Sequence, residues 1–573
     1  MAIENAEVAR LFRELADVLE IEAANPFRVR AYRNAARTVE ALPVPVGDLA
    51  ETGAERLQEL PGIGADLAGK IMEIVRTGGL AALRTAERRV PKGLTEILQV
   101  PGLGPKRAQR LHQELGITSI SQLRSALHAG SVREISGFGP ASEARLLRAV
   151  AARAADEDRM LRPVAAQYGQ NLIEYLHRVP GVRHVELAGS FRRCRETVGD
   201  LDLLALCGAP SPIVDHFVNY PAVGEILAQG STKASVRLRS GLQVDLRVLP
   251  EESYGAALHY FTGSKAHNIA IRRMGQSRGL KINEYGVFRG AQRIGGRTET
   301  EVFGAVGLPY IPPELREDRG EIEAAARDHL PRLVDRKQIR GDLQSHTTDS
   351  DGRDTLEAMA EAAEELGYEY LAISDHSPAV RVAGGLDRAG FQRQTKRIDR
   401  LNTRLRHLTL LKGAEVDILA DGSLDLDRDT RAALDLVIIS VHSKFDLPKR
   451  EQTRRMITAL SSASVHILGH PTGRLLGRRP GMRLDLDQVI GAAVDHGVAL
   501  EVNGQPQRLD LDDASCRMAL QAGARIAIST DAHSTAELAF MRWGVEQARR
   551  GWAAAQNVLN CLPLNRLLKT LAR

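Results

Sequence analysis

Cysteine is scarce in this chain of 573 residues: Cys194, Cys207, Cys516 and Cys561 are all it has, and none stands in a Cys-x-x-Cys pair. That excludes a disulfide framework and a zinc ribbon, and it fits a reducing compartment. No apolar run reaches the ~18 residues that a membrane-crossing helix needs, and the first residues lack the basic-then-apolar pattern of a secretory signal. We therefore expect a cytoplasmic protein without membrane contacts. What is present is ordinary globular material, 43% hydrophobic and 26% charged, in a length that predicts three or four domains. A net charge of +5 leans toward a polyanionic partner without identifying one.

The amino-terminal third reads as helical. Residues 4–22 form one helix, and Asn25-Pro26 supplies a cap and first position for a second over 26–41. A unit then repeats: Leu60-Pro-Gly-Ile-Gly64, Val100-Pro-Gly-Leu-Gly104 and Ile135-Ser-Gly-Phe-Gly139 each follow a short helix and precede another. The pattern resembles the helix-hairpin-helix motif, in which glycines let backbone N–H groups approach a nucleic-acid phosphate. Gly62, Gly64, Gly102, Gly104, Gly137 and Gly139, with the basic Lys106, Arg107 and Arg110, are thus expected to grip DNA without regard to sequence. The third unit is less basic because of Pro140 and Glu143. Arg28, Arg30 and Lys70, with Ala31-Tyr-Arg33 and Leu60–Ile71, resemble the small lyase domain of polymerase beta. By that likeness Lys70 stands at the Schiff-base position. Asp66, where the family often has a basic residue, favours a protonated lysine, so a lyase nucleophile and a phosphate contact both remain open.

The central signal is Leu187-Ala-Gly-Ser-Phe-Arg-Arg-Cys-Arg-Glu-Thr-Val-Gly-Asp-Leu-Asp202. It reads as strand, Gly-Ser turn, basic loop and second strand. Residues two apart share a strand face, so Asp200 and Asp202 project together and repel unless a divalent cation lies between them. The turn at Gly189-Ser190 offers amides to a phosphate, with charge from Arg192 and Arg193. Lys233–Val248 alternates as a hairpin around Ser240-Gly241 and leaves Asp245 as an acid on an otherwise basic face, either a third metal ligand or an ion-pair partner of an arginine.

These stretches, followed in order by Tyr260-Phe-Thr-Gly-Ser-Lys-Ala-His-Asn268, Arg272 and Ile282-Asn-Glu-Tyr285, resemble the catalytic core of family X DNA polymerases over about residues 1–315. The resemblance implies that Asp200, Asp202 and Asp245 hold two Mg or Mn ions. It implies that Gly189, Ser190 and Arg193 hold the nucleotide's β- and γ-phosphates. Tyr260, Phe261 and the Gly263 turn would pack its sugar, Asn268 would meet the base edge, and Arg272 the template strand.

Beyond Pro312-Pro313 and a charged helix to about 328, short apolar strands alternate with helices, and nearly every strand leads to a potential metal ligand. His346, Asp375-His376, Glu415, His442, His470, Glu501 and Asp531-Ala-His533 occupy those positions, which implies a barrel-like α/β domain with its site at the strands' C-terminal face. Mixed nitrogen and oxygen ligands suit Mn or Zn. The segment resembles the PHP phosphoesterase family over about residues 338–573. By that likeness His346, Asp351, His376, Glu415, His442, His470, Asp531 and His533 hold two to three ions, with Glu415 bridging. The family's motif begins His-x-His, whereas this chain reads Gln344-Ser-His346, so one ion would be held more weakly.

The expected architecture is multidomain: an all-α helix-hairpin-helix region (1–86 lyase-like, 87–155 fingers), an α+β nucleotidyltransferase palm (156–255) and thumb (256–315), a linker (316–337), and a PHP domain (338–573) folded as a distorted seven-stranded β/α barrel. The expected activity is gap-filling DNA synthesis from deoxynucleoside triphosphates, with a 3′–5′ exonuclease. The expected partner is gapped or nicked duplex DNA, met as a monomer at the nucleoid. Two rivals stand beside it: a nuclease whose polymerase-like core only positions DNA, and a non-catalytic scaffold that grips nicked DNA.

Overall fold

A computed structural model describes residues 5–22, 24–40, 42, 46–51, 53–87, 94, 97–98, 100, 102–156, 159–208, 210–380 and 383–572. Helix Asn5–Ile21 packs along helix Pro26–Glu40, whose first turn is capped by the Asn25 side chain accepting from Phe27 N at 2.9 Å. In the three hairpins the first glycine of each Gly-x-Gly (Gly62, Gly102, Gly137) takes a left-handed φ of 75°, 93° and 86°. A β-carbon is strained there, which explains the residue choice. Gly64 and Gly104 then cap helices Ala65–Thr77 and Pro105–Leu115. The third hairpin follows only a single 3-10 turn, Val132–Glu134, before helix Pro140–Asp156.

The palm is a five-stranded sheet in the order Val182–Leu187, Asp200–Cys207, Gln243–Leu249, Lys233–Leu238, Val223–Gln229. Its two central strands run parallel, and the hairpin read from the alternation at 233–248 is present, with Val236, Leu238, Val244, Leu246 and Val248 buried. The thumb joins helices Tyr254–Thr262 and Lys265–Ser277 to a three-stranded sheet. Residues 316–337 are not a free tether: Ile322, Ala325 and Leu333 pack into the thumb's apolar core.

The carboxy-terminal domain is a seven-stranded parallel sheet in sequential order, from Gly341–Ser345 to Ile526–Ser529. A parallel bridge between Ser345 and Ala532 brings its two edges together, so the barrel is nearly closed. Its strands are buried on both faces, as in Leu436–Ser440, which accounts for their unbroken apolar runs. Side chains on one strand face pack against the surrounding helices. Those on the other, including Leu343, Tyr370, Leu411 and Ile438, pack on Leu567 and Leu571 of the last helix. That helix plugs one end, and the ligand-bearing strand ends open at the other.

Helix Met541–Arg550 of the barrel docks on the polymerase-like half. Glu546 pairs with the buried Arg162, Arg549 donates to Glu314 at 2.7 Å, and Gln547 donates to Glu196 at 2.7 Å. Among the described residues, no helix is long and apolar enough to cross a membrane.

Candidate active sites

Parallel pairing sets Asp202 directly opposite Asp245, and Asp200 precedes Asp202 by two residues on the same strand. The three carboxylates therefore share one end of one sheet face. Ser235 Oγ donates to Asp245, and Gln243 Nε2 donates to it at 3.1 Å. Among the described residues, Asp245 bonds Ser235 and Gln243 and makes no arginine ion pair. Burial, then the neighbouring Asp200 and Asp245, push the Asp202 carboxyl up to about 7. Asp200 is also raised, by burial and Asp245. Acids whose burial and mutual repulsion outweigh the nearby Arg159, Arg193 and Arg247 are a fitting donor set for divalent ions.

The loop ahead of Asp200 holds one helical turn, Gly189–Arg192, where the sequence reads as a Gly-Ser turn and basic loop. Gly189 has φ 59°, and a β-carbon there would collide with the Asp202 carboxylate. Only glycine lets the backbone approach the acid so closely. Ser190 follows in the same turn, half-buried. Arg192 does not face this cradle. It binds Glu299 with two hydrogen bonds of 2.9 and 2.8 Å and donates to Thr262 Oγ1 at 2.8 Å, so it ties palm to thumb. Arg193 donates to Glu317 at 3.1 Å and to the Thr262 carbonyl, and Glu317 in turn accepts from Arg550 of the barrel at 3.1 Å.

Helix Tyr254–Thr262 ends at Gly263, whose φ is 71°. Tyr260 and Phe261 meet edge to face at 5.1 Å, and Arg247 lies 4.4 Å over the Phe261 ring. Asn268 donates to Tyr260 O at 2.7 Å, while its buried Oδ1 has no partner. Arg272 stands one turn further along the same helix, half-buried.

The barrel gathers its ligands into three overlapping groups: His346, Asp351, His376 and His533; His376, Glu415 and His442; and His346, Glu415 and Asp531. Within each group the ligand atoms lie within 4.8 Å of one another. Glu415 is the hub, with His470 Nε2 at 3.0 Å, His376 Nδ1 at 3.3 Å, His442 Nε2 at 3.4 Å and His346 Nε2 at 3.5 Å. Against the cost of its burial, His376, His442 and His470 hold Glu415 well below the usual carboxylate range. Burial opposes the charge on His442, yet Glu415 and Asp417 raise it to about 9. His376 Nδ1, turned to Glu415, has no hydrogen-bond partner; nor do the buried Nδ1 atoms of His346 and His470, which meet Glu415 through Nε2, nor Gln344 Oε1. Orphaned N and O donors around a shared carboxylate are what a cation cluster requires.

Gln344 lies beside Asp531, its Nε2 donating at 3.4 Å. Glu501, read as a strand-end ligand, belongs to none of the groups, and neither does His470, which meets the cluster only through Glu415. Glu501 accepts from His470 N at 2.5 Å and Asn503 Nδ2 at 3.2 Å, and burial followed by Asp531 raises it well above the carboxylate range. Sequence reasoning misses Asp417. It accepts from His442 N at 3.0 Å and faces Nδ1 at 3.2 Å, fixing which nitrogen of His442 points inward. Its signal is Glu415-Val-Asp417, two acids on one strand face.

Lys70 is paired with Asp66 and lies 5.9 Å from the Tyr32 ring. Arg107 and Arg110, expected to face phosphate, donate to Gly102, Gly137 and Ser136 carbonyls and bind the second hairpin to the third. The side chain of Lys106 lies outside the described residues.

The chain matches the helix-hairpin-helix domain over residues 3–80, the SAM-like helix-hairpin-helix tandem over 94–152, the DNA polymerase beta thumb over 257–317 and the PHP domain over 342–505. It is 38% identical over 562 residues, 97% of each chain, to a Bacillus subtilis protein named DNA polymerase/3′-5′ exonuclease PolX. It is 25% identical over 348 residues to the rat DNA polymerase lambda, 55% of this chain and 56% of that one. It is 29% identical over 209 residues, 34% of this chain and 80% of the relative, to a probable phosphatase of Acetivibrio thermocellus.

Proposed function

The chain belongs to the bacterial PolX family, which joins a polymerase beta-like core to a PHP domain, and from that premise we propose a division of labour between its two ligand clusters. It is a DNA polymerase with a 3′–5′ exonuclease on the same chain. Synthesis belongs to the palm, and digestion to the barrel. The observation that carries this reading is the pair of separate clusters, one of acids alone and one of acids with histidines.

In the palm, Asp200, Asp202 and Asp245 would hold two Mg or Mn ions. Such ions, when bound, lower the pKa of a primer 3′-hydroxyl and neutralise the triphosphate. Arg193 would exchange Glu317 for a phosphate oxygen, and the Gly189 and Ser190 amides at the start of the helical turn would meet the same group. Tyr260 and Phe261 present aromatic surface to the sugar, and the free Oδ1 of Asn268 is available to the base edge. In the barrel, His346, Asp351, His376, Glu415, His442, His470, Asp531 and His533 would hold two to three Mn or Zn ions. Those ions activate water and stabilise the leaving oxygen. The protein's own part is orientation: Asp417 holds His442, and Glu501 holds the His470 backbone.

The substrate is a short gap in duplex DNA, bound by a monomer at the nucleoid. Lyase chemistry at Lys70 requires the Asp66 pair to open and the amine to lose its proton. Borohydride trapping on a deoxyribose-phosphate end, lost in Lys70→Ala, tests it. The whole reading is tested with a labelled primer in a one-nucleotide gap, incubated with Mn²⁺ or Mg²⁺. The primer should lengthen with nucleotides and shorten without them. Shortening alone would leave only the nuclease, and no change in either direction would leave a scaffold.

A further inference from the structure

A cavity of about 1670 Å³ joins the barrel's ligand cluster to the amino-terminal domain. That is larger than the ~300–1,000 Å³ of a small-molecule pocket and is suited to a length of chain. At its floor are Asp351, Asp531 and His533, which also line a cavity of about 200 Å³ set over Glu415, His442 and His470. The two cavities also share Arg508, so the small one opens from the large one. The opposite wall is helix Pro26–Glu40, which contributes Arg30, Asn34 and Arg37, while the first hairpin adds Pro61 and Gly62.

Positions 27, 30, 34 and 37 are spaced 3, 4 and 3 apart, so they form one stripe along the helix. At its outer end Phe27 is 76% exposed, with Arg30 lying 5.7 Å over its ring. At its inner end Arg37 lies within electrostatic reach of Arg353, Glu537 and the ligand Asp351, and it donates to Asn34 Oδ1 at 2.5 Å. Among the described residues, Arg30 and Arg37 make no ion pair, whereas Arg33 on the same helix is taken by Asp17 and Glu20, and Arg13 by Glu40. An exposed aromatic followed by unpaired arginines is the equipment for unpaired nucleic acid: a ring for base stacking and cations for successive phosphates.

We propose that Phe27, Arg30, Asn34 and Arg37 form a single-stranded DNA track that leads a 3′ end into the barrel's nuclease site. The inference rests on the nuclease reading above and adds the amino-terminal domain as the site's far wall. A frayed 3′ strand runs from the Phe27 ring, past Arg30 and Asn34, to Arg37 beside Asp351. The domain read as a lyase thereby serves digestion as a substrate-positioning element.

The test compares two substrates on the full-length protein with Mn²⁺. One is a 5′-labelled single-stranded 12-mer; the other is bis(p-nitrophenyl) phosphate, too short to reach the helix. In the Arg30→Ala/Arg37→Ala variant, the ratio of 12-mer to small-diester turnover should fall at least tenfold, chiefly through KM. The slope of log KM against log salt should weaken by about 0.7 for each phosphate that an arginine no longer neutralises. Arg30→Lys/Arg37→Lys, which keeps both charges, should restore most of the ratio. Phe27→Ala should raise KM for the 12-mer alone. An unchanged ratio and salt slope in the alanine variant would overturn the track. If the wild-type protein cleaved neither substrate, or if His442→Ala left both rates intact, the nuclease reading itself would fail and take the track with it.

Discussion

The palm and the barrel solve the same electrostatic problem in opposite ways. Asp200, Asp202 and Asp245 are like charges that the nearby Arg159, Arg193 and Arg247 offset only in part, and burial and mutual repulsion drive Asp202 up to about 7. The barrel interleaves its acids with histidines, so Glu415 is held low while His442 rises to about 9. One cluster is incomplete without an ion, and the other is compensated before any ion arrives. Metal binding should therefore relieve repulsion in the palm and displace protons in the barrel.

The contrast is broken most severely by removing the ions. Chelation should reduce both primer extension and digestion to the blank rate, measured on the same labelled duplex. A milder test concerns Asp417, which orients His442: Asp417→Asn should cost digestion or metal affinity about 10–100-fold and leave extension intact. Next is pH. The folded palm binds the Asp202 proton more tightly than the unfolded chain does. Its stabilisation is complete below the ordinary carboxylate range, at about pH 4, and is lost as pH rises through about 7. The barrel's Glu415 works the other way and loses its contribution as pH falls, while His442 holds its full contribution only below the ordinary histidine value of about 6.5 and has lost it by about 9. In chelated protein, hydrogen exchange corrected for intrinsic rates should show strand Asp200–Cys207 losing protection between about pH 4 and 7, with strand Leu436–Ser440 losing none until about pH 6.5. Mg²⁺ or Asp202→Asn should restore the palm. Gln344→His, which completes the His-x-His pattern, should slow metal loss to a chelator by up to about tenfold, since imidazole is the stronger ligand. The smallest effect belongs to Glu501. Because it accepts from the His470 amide and Asn503 and belongs to none of the ligand groups, Glu501→Gln should change digestion by less than about twofold, and a large loss would show that it ligates as an anion.

Local patterns carry much of this architecture. The period of two exposes Asp200 and Asp202, the alternation at 233–248 marks out Asp245, and the barrel's ligands sit where apolar strands end. Pairs far apart in the chain are not legible. Arg192 reads as a phosphate ligand until Glu299 takes it, 107 residues away; Arg193 meets Glu317, 124 away; Arg107 reaches Gly137, 30 away. No periodicity encodes such partners, because a basic side chain looks alike whether it faces DNA or a carboxylate. Glu501 misleads for a related reason: a strand-end acid can turn to a backbone amide as readily as to a metal. Asp417 is recoverable, since Glu415-Val-Asp417 repeats the spacing that exposes the palm pair.

The central claim is that synthesis and digestion run on two separate centres in one chain. Its most direct test is a pair of variants, Asp202→Ala and His442→Ala, each given the one-nucleotide-gapped duplex with Mn²⁺, with and without nucleotides. We predict that Asp202→Ala shortens the primer but never lengthens it, and that His442→Ala lengthens it but never shortens it. Loss of both activities in either variant, with folding intact, would contradict the account.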